Sequence, residues 1–246
     1  MITSLKYSLG LLFCLAMSSL FAQSHFKPED TEYYSPKPPI VTINNSIPSD
    51  AIILFNGQNL DQWESSSTPP AKATWTIASS ILTVRPGSGN IQTKDKFEDF
   101  QLHIEWQSPL IVKGEGQGRG NSGIFLQGLY ELQVLDNQEN PTYVNGQAGS
   151  LYKQRPPLVE SRVPPQAWHT YDILYTAPRF NKDNMLISKA RVTVLHNGIV
   201  VQLNTEIEGT TEYIGLPQLK THGPGPIILQ DHGDLVNYRN IWIRRL

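Results

Sequence analysis

Between residues 118 and 136 the chain reads G-R-G-N-S-G-I-F-L-Q-G-L-Y-E-L-Q-V-L-D, a glycine-spaced turn followed by alternating apolar and polar positions. Period-two geometry sends Glu131, Gln133 and Leu135 to one face of a strand over 130–135. Tyr130, Leu132, Val134 and, at the strand end, Asp136 go to the other. A strand buried on both faces seldom carries a carboxylate and an amide two residues apart unless both have partners. One face is therefore expected to pack and the other to meet solvent or a ligand. Residues 227–233, I-I-L-Q-D-H-G, repeat the device, with Gln230 and His232 on one face after the turn-forming G-P-G-P of 223–226.

The rest of the chain follows the same period. Strands are expected at 51–55, 75–84 and 89–93, the last two joined through Pro86-Gly87, and at 101–106, where Leu102, Ile104 and Trp106 alternate with Gln101, His103 and Glu105. Further strands fall at 122–127, 168–175, 189–196, 200–204, 226–230 and 236–243. Asn197-Gly198 between apolar runs marks a hairpin. Heptads, a long 3.6-residue pattern and fixed-period repeats are all missing. Ten or more short strands predict an all-β sandwich or jelly roll, with the polar strand faces collected on one concave surface. Residues 137–165 are the longest irregular stretch; their prolines and tyrosines predict an ordered loop over a site. Residues 23–49, rich in proline, read as an arm or linker, which leaves 50–246 as the folded domain.

Composition narrows the picture further. Charged residues are 17%, Gly and Pro number 18 each, and the net charge is -2. Low charge with many turn formers suits a loop-rich β fold, and a balance this even gives no footprint for nucleic acid or an anionic membrane. Residues 1–22 read as a secretory leader, with Lys6 before the apolar run 9–15 and a small-residue cut after Ala22. That run is short of the about 20 residues a bilayer span needs, so a periplasmic or extracellular chain without a transmembrane segment is expected. Cys14 is the only cysteine, so the processed chain would hold no disulfide, no thiolate nucleophile and no cysteine ligand for zinc.

Several segments in order carry a resemblance. They are L-F-N-G-Q-N-L at 54–60, G-N-S-G-I at 120–124, Y-E-L-Q-V-L-D at 130–136, W-H-T-Y-D at 168–172, H-N-G at 196–198 and I-L-Q-D-H-G at 228–233, with Val236 and Arg239-Asn240-Ile241 after them. In these the chain resembles the DUF1080 family, also called 3-keto-disaccharide hydrolases. The resemblance implies a concanavalin A-like jelly-roll β-sandwich and a carbohydrate substrate already oxidised at C3. It also implies cleavage of 3-keto-glycosides through a 2-hydroxyglucal. Two departures, Trp168-His169 for the commoner Trp-Asn and an insertion-like stretch at 179–189, bear on substrate choice more than on fold.

The candidate chemistry can be weighed on the residues themselves. An ordinary glycosidase needs two carboxylates, about 5–5.5 Å apart for retention and wider for inversion. Here the alternate positions are Glu131, Gln133 and Leu135, and Asp136 faces away by parity. A ketone at C3 changes the requirement, because it acidifies the C2 proton. One base, one acid and a stabiliser for the enolate oxygen then suffice. Glu131 and His232 are the expected catalytic pair, either as acid and base or holding a divalent metal ion together. Gln133, Gln230 and Asn121 would bind sugar hydroxyls, Arg119 would stabilise the enolate and Tyr152 would stack on a ring. Structural roles compete with these: Glu131 as an ion-pair partner of Arg119, His232 as a turn residue, Asp231 as the brace of the Gly233 turn, and His103, His169, His196 and His222 as packing or surface residues. At the level of function, a lectin-like binding module and a conventional glycoside hydrolase are the alternatives. Aglycone release from a 3-keto-glucoside but not from the unoxidised glucoside separates them, and whether Glu131 and His232 converge in one groove tests the site.

Overall fold

The structure is a computed structural model that describes residues 26–246; the leader read at 1–22 lies outside the described residues. The chain divides into two units, Met1–Ile40 and Val41–Leu246. The described part of the first holds a single turn of 3-10 helix at Pro28–Thr31.

The larger unit is built of strands. In chain order they are β1 (Ile43–Asn44), β2 (Ile47–Pro48), β3 (Ile52–Phe55), β4 (Trp63–Ser65), β5 (Thr76–Ala78), β6 (Ile81–Thr83), β7 (Ile91–Thr93) and β8 (Phe100–Gln107). Then come β9 (Ser122–Leu126), β10 (Tyr130–Val134), β11 (His169–Thr176), β12 (Arg179–Phe180), β13 (Leu186–Ser188), β14 (Arg191–His196), β15 (Ile199–Glu206), β16 (Ile228–Leu229) and β17 (Asn237–Arg245). Five strands form one sheet in the order β10-β9-β16-β7-β4, and eight form a second, ordered β15-β14-β11-β8-β17-β6-β5 with β3 also on β17. The two sheets enclose one apolar core, to which Leu102, Ile104 and Trp106 of β8 and Ile124, Leu132 and Val134 of β9 and β10 contribute. This is the jelly-roll sandwich expected from the strand pattern.

Three tyrosines of the larger sheet tie the layers together. Tyr171 donates to the carbonyl of Gln133 at 2.8 Å, Tyr175 to Gln127 Oε1 at 2.7 Å and Tyr238 to Ser122 Oγ at 2.7 Å. Each buried hydroxyl needs a partner, and each partner sits on or next to β9 or β10.

Local differences from the expected pattern have physical causes. The stretch 75–84 is a hairpin, not one strand. Ser79 and Ser80 both take positive φ, 50° and 61°, the conformation of a type I′ turn that Asn-Gly usually announces. Pro86-Gly87 links strands of different sheets. The hairpins β1–β2 and β12–β13 and the strand β4 arise where no alternation was read. The polar faces also divide: on β8 and its neighbours, His103 meets Asp172 at 2.7 Å and Arg239 meets Glu105 at 2.6 Å. That face belongs to the larger sheet and satisfies itself, whereas Glu131, Gln133 and Gln230 belong to the smaller one. They do not share one concave surface.

The irregular stretch after β10 is ordered against it. Gln133 N donates to Ser150 O at 3.0 Å, Gly149 N to Gln133 O at 3.1 Å and Tyr152 N to Glu131 O at 3.0 Å. The segment thus covers the free edge of β10, and all five residues of that strand are buried.

Candidate active site

The outer face of the smaller sheet carries a groove of about 530 Å3, within the size range of small-molecule sites. Its floor follows from strand register. Gln133 of β10 lies opposite Gly123 of β9, and Gln230 N donates to Gly123 O at 3.0 Å on the far side. Directly paired residues point the same way, so Gln133, Gly123 and Gln230 form one row across three strands. In the next row Glu131 lies opposite Phe125, which lies opposite Ile228. Asn121, Gln117, Tyr152, Thr211, Tyr213 and His232 complete the walls.

Gly123, the last glycine of the glycine-spaced stretch and part of the strand expected at 122–127, sits inside β9 without a positive φ. A Cβ there would fall 2.3 Å from Glu131 Oε1 and 3.0 Å from its Cδ and Cγ. The glycine therefore leaves the space that the carboxyl fills. A lone glycine inside a strand pattern is the available signal, since it marks a close approach.

Glu131 is 5% exposed, and among the described residues its carboxyl has no ion pair or hydrogen-bond donor from another side chain. Its backbone is pinned by Thr211 Oγ1, which accepts from Glu131 N at 2.9 Å. Burial without a compensating charge disfavours the carboxylate and pushes its pKa up to about 8. The pairing of Glu131 with Arg119 does not form.

The amides around it are arranged by elimination. Gln133 Nε2 donates to Gln117 Oε1 at 3.1 Å and to Asn121 Oδ1 at 3.3 Å, which leaves Gln133 Oε1 buried without a partner. Gln230 Oε1 is likewise buried and unpartnered. Two orphaned acceptors on one floor are costly unless a ligand's hydroxyls reach them. Asn121 is held by its own donation to Gln117 O at 2.7 Å and by Asp234 Oδ2, which accepts from Asn121 N at 2.8 Å.

Tyr152 closes one side. Its hydroxyl lies 2.6 Å from that of Tyr143, and burial, the Tyr143 hydrogen bond and nearby Glu131 all push its pKa up. Only one proton of the two hydroxyls is used between them, so one remains to donate. Lys153 Nζ donates to Tyr213 O at 2.5 Å and lies 4.3 Å from that ring's centroid, fastening the Tyr213 wall. His232 stands exposed at the rim. Asp231 braces the turn before it, accepting from Gly89 N at 2.9 Å and Gly233 N at 3.0 Å.

Six of the seven expected site residues therefore line one groove: Glu131, His232, Asn121, Gln133, Tyr152 and Gln230. Arg119 does not. Its guanidinium turns to Asp136 at 3.0 Å and to Gln138 O at 2.6 Å, because the residue before a buried strand start faces away from the groove and a carboxylate waits there. Gln117, Thr211 and Tyr213 were missed, since they come from turns without alternation. Among the described residues no cluster of three or more His, Cys, Asp or Glu side chains converges as a metal site, so Glu131 and His232 alone do not make a cation cage.

A family model described as the 3-keto-alpha-glucoside-1,2-lyase-like domain matches residues 50–244. The chain belongs to this family. Within its reach stands a 3-keto-disaccharide hydrolase of Bacteroides thetaiotaomicron, 26% identical, with 81% of each chain covered. A solved structure from Parabacteroides distasonis ATCC 8503, described as a candidate glycosyl hydrolase, is 52% identical with a TM-score of 0.86 over 91% of this chain and 98% of that one. Another from the same organism, at 18% identity and TM-score 0.58 over 80% of this chain and 94% of that one, shares the fold. Among the described residues no helix is long and apolar enough to cross a membrane.

Proposed function

We propose that this protein cleaves glycosides whose sugar carries a ketone at C3, by removal of the C2 proton and loss of the C1 substituent. Family membership and the B. thetaiotaomicron 3-keto-disaccharide hydrolase support the substrate class. The observation that carries the reading is that among the described residues the groove is lined by a single carboxyl, Glu131, buried and with its pKa raised to about 8, with an imidazole at its rim. A carboxylate pair, as conventional glycoside hydrolysis requires, is missing from the lining.

The roles follow from protonation. With its pKa near 8, Glu131 keeps its proton at neutral pH and is the general acid. His232 takes the C2 proton, and the electron pair moves onto the C3 oxygen as an enolate. The spare proton of the Tyr143–Tyr152 pair, presented from Tyr152, is the hydrogen bond that stabilises that oxygen, with Gln230 Nε2 as a second donor. Collapse of the enolate breaks the C1–O bond, and the leaving oxygen takes the Glu131 proton. The Glu131 carboxylate then draws a proton from water as it attacks C1 of the 2-hydroxyglucal, and the His232 imidazolium returns its proton to C2. Elimination followed by hydration restores both groups and amounts to hydrolysis. The leader read at residues 1–22 would place this reaction outside the cytoplasm.

The test supplies the isolated protein with a methyl 3-keto-glucoside and the matching unoxidised glucoside. Methanol release from the first alone is expected, with exchange of the C2 hydrogen for solvent deuterium. Release from the unoxidised glucoside favours conventional hydrolysis; binding of both without turnover favours a binding module. Loss of at least about a hundredfold in rate is expected for His232→Ala, as for removal of a general base.

A further inference from the structure

A second hollow, of about 470 Å3, lies beside the groove and is lined on one side by Pro86, Pro109, Leu110, Ile111, Val112 and Leu235. Leu110, Ile111, Val112 and Leu235 are all exposed to it, 50–72% accessible, though each is a large apolar side chain. Its polar lining is already committed within the protein. Arg119 pairs with Asp136 at 3.0 Å, Asp234 Oδ2 accepts from Asn121 N at 2.8 Å, and Thr83 Oγ1 donates to Asn237 Oδ1 at 2.7 Å. Among the described residues Lys113 and Asp234 are the lining charges without an ion pair, and Lys113 has no hydrogen-bond partner either.

The two hollows share a wall. Gly118, Asn121 and His232 line the groove, whereas their neighbours Arg119, Gly120 and Gly233 line the second hollow. The bond from Asn121 to Asp234 fastens the two wall segments to each other. Adjacent residues of the same two segments thus line both hollows, and a C1 substituent that reaches the second one passes over this shared wall.

We propose that the second hollow is the subsite for the leaving group, and that it takes an apolar, ring-sized aglycone in preference to a second sugar. This rests on the proposed 3-keto-glycoside cleavage. A sugar brings several hydroxyls that must exchange water for protein partners, and here those partners, Lys113 apart, already hold bonds within the protein. An apolar ring needs only the removal of its surface and that of Leu110, Ile111, Val112 and Leu235 from water.

The experiment compares ethyl and 2-cyclohexylethyl 3-keto-glucosides, whose alcohols are leaving groups of similar acidity. For the natural protein kcat/KM is expected to favour the cyclohexylethyl substrate by about tenfold or more, from the added apolar burial. In Leu110→Ser/Leu235→Ser that ratio is expected to fall to near one. Equal kcat/KM for the two substrates in the natural protein overturns the proposal, as does an unchanged ratio in the variant or a lower KM for a 3-keto-disaccharide. Cross-saturation NMR from the cyclohexyl ring to the methyl groups of Leu110, Ile111 and Leu235 reads the same subsite without turnover; its absence also overturns it. Should every 3-keto-glycoside resist cleavage while this transfer persists, the cleavage reading fails and the apolar subsite stands.

Discussion

Adding one methyl group at Gly123 tests the site more sharply than removing Glu131, because it leaves every functional group in the protein. A Cβ at Gly123 would lie 2.3 Å from Glu131 Oε1 and 3.0 Å from Cδ and Cγ, well inside contact distance. Backbone relief is limited, since the Gly123 carbonyl accepts from Gln230 N at 3.0 Å and the flanking Ser122 and Ile124 pair with Val134 and Leu132 of β10. The carboxyl must therefore swing into the groove, where water reaches it. Its pKa then falls from about 8 toward the ordinary 4.5. At pH 7 a group with a pKa near 8 is about nine-tenths protonated and one near 4.5 below about one per cent, so the acid form drops by more than about a hundredfold. Overpacking adds a stability cost of about 1–3 kcal/mol. The assay is the pH profile of kcat/KM on a methyl 3-keto-glucoside. The natural protein is expected to lose rate above pH 8, and Gly123→Ala to show that limb displaced downward by two or more pH units, with the protein still folded by thermal melting. A folded Gly123→Ala protein with the full rate and an unmoved alkaline limb refutes the placement of Glu131 as the acid.

Glu131→Gln is expected to abolish turnover yet stabilise the fold at pH 8. A carboxyl whose pKa is raised in the folded state contributes its full stability below about pH 4.5 and loses it as pH rises through about 8, a swing of up to about 5 kcal/mol seen in denaturant midpoints. The opposite sign holds for His169 and His196, which sit 2.8 Å apart and whose pKa values burial lowers to about 4 and about 3. Their stability is present above pH 6.5 and fades as pH falls toward 3, so His196→Gln is expected to flatten acid unfolding over that window by a few kcal/mol. Tyr238→Phe removes the donor to Ser122 Oγ, which itself donates to Gln230 O at 2.7 Å; about 1 kcal/mol of stability and a raised KM are expected, from Ser122 holding Gln230 less firmly. An unchanged melting temperature and KM would show that the relay does not set the groove.

Much of this was legible along the chain because side-chain alternation is a local property. The period-two pattern at 130–136 assigned Glu131 and Gln133 to one face and Asp136 to the other, and the structure keeps Asp136 out of the groove, paired with Arg119. The pattern at 227–233 likewise put Gln230 and His232 together. Turn chemistry succeeded where Asn197-Gly198 stood between strands and failed at Ser79-Ser80, whose positive φ values are imposed by the strands they join.

What the tertiary structure alone decided is which faces meet and how deeply they are buried. Nothing local places Gly123 between Gln133 and Gln230, because that row depends on β16 pairing with β9 across about a hundred residues. The elevated pKa of Glu131 has the same origin: the segment 149–152 covers the edge of β10 and excludes water. A carboxyl's charge state is set by the solvent and charges around it, and those come from strands distant in the chain.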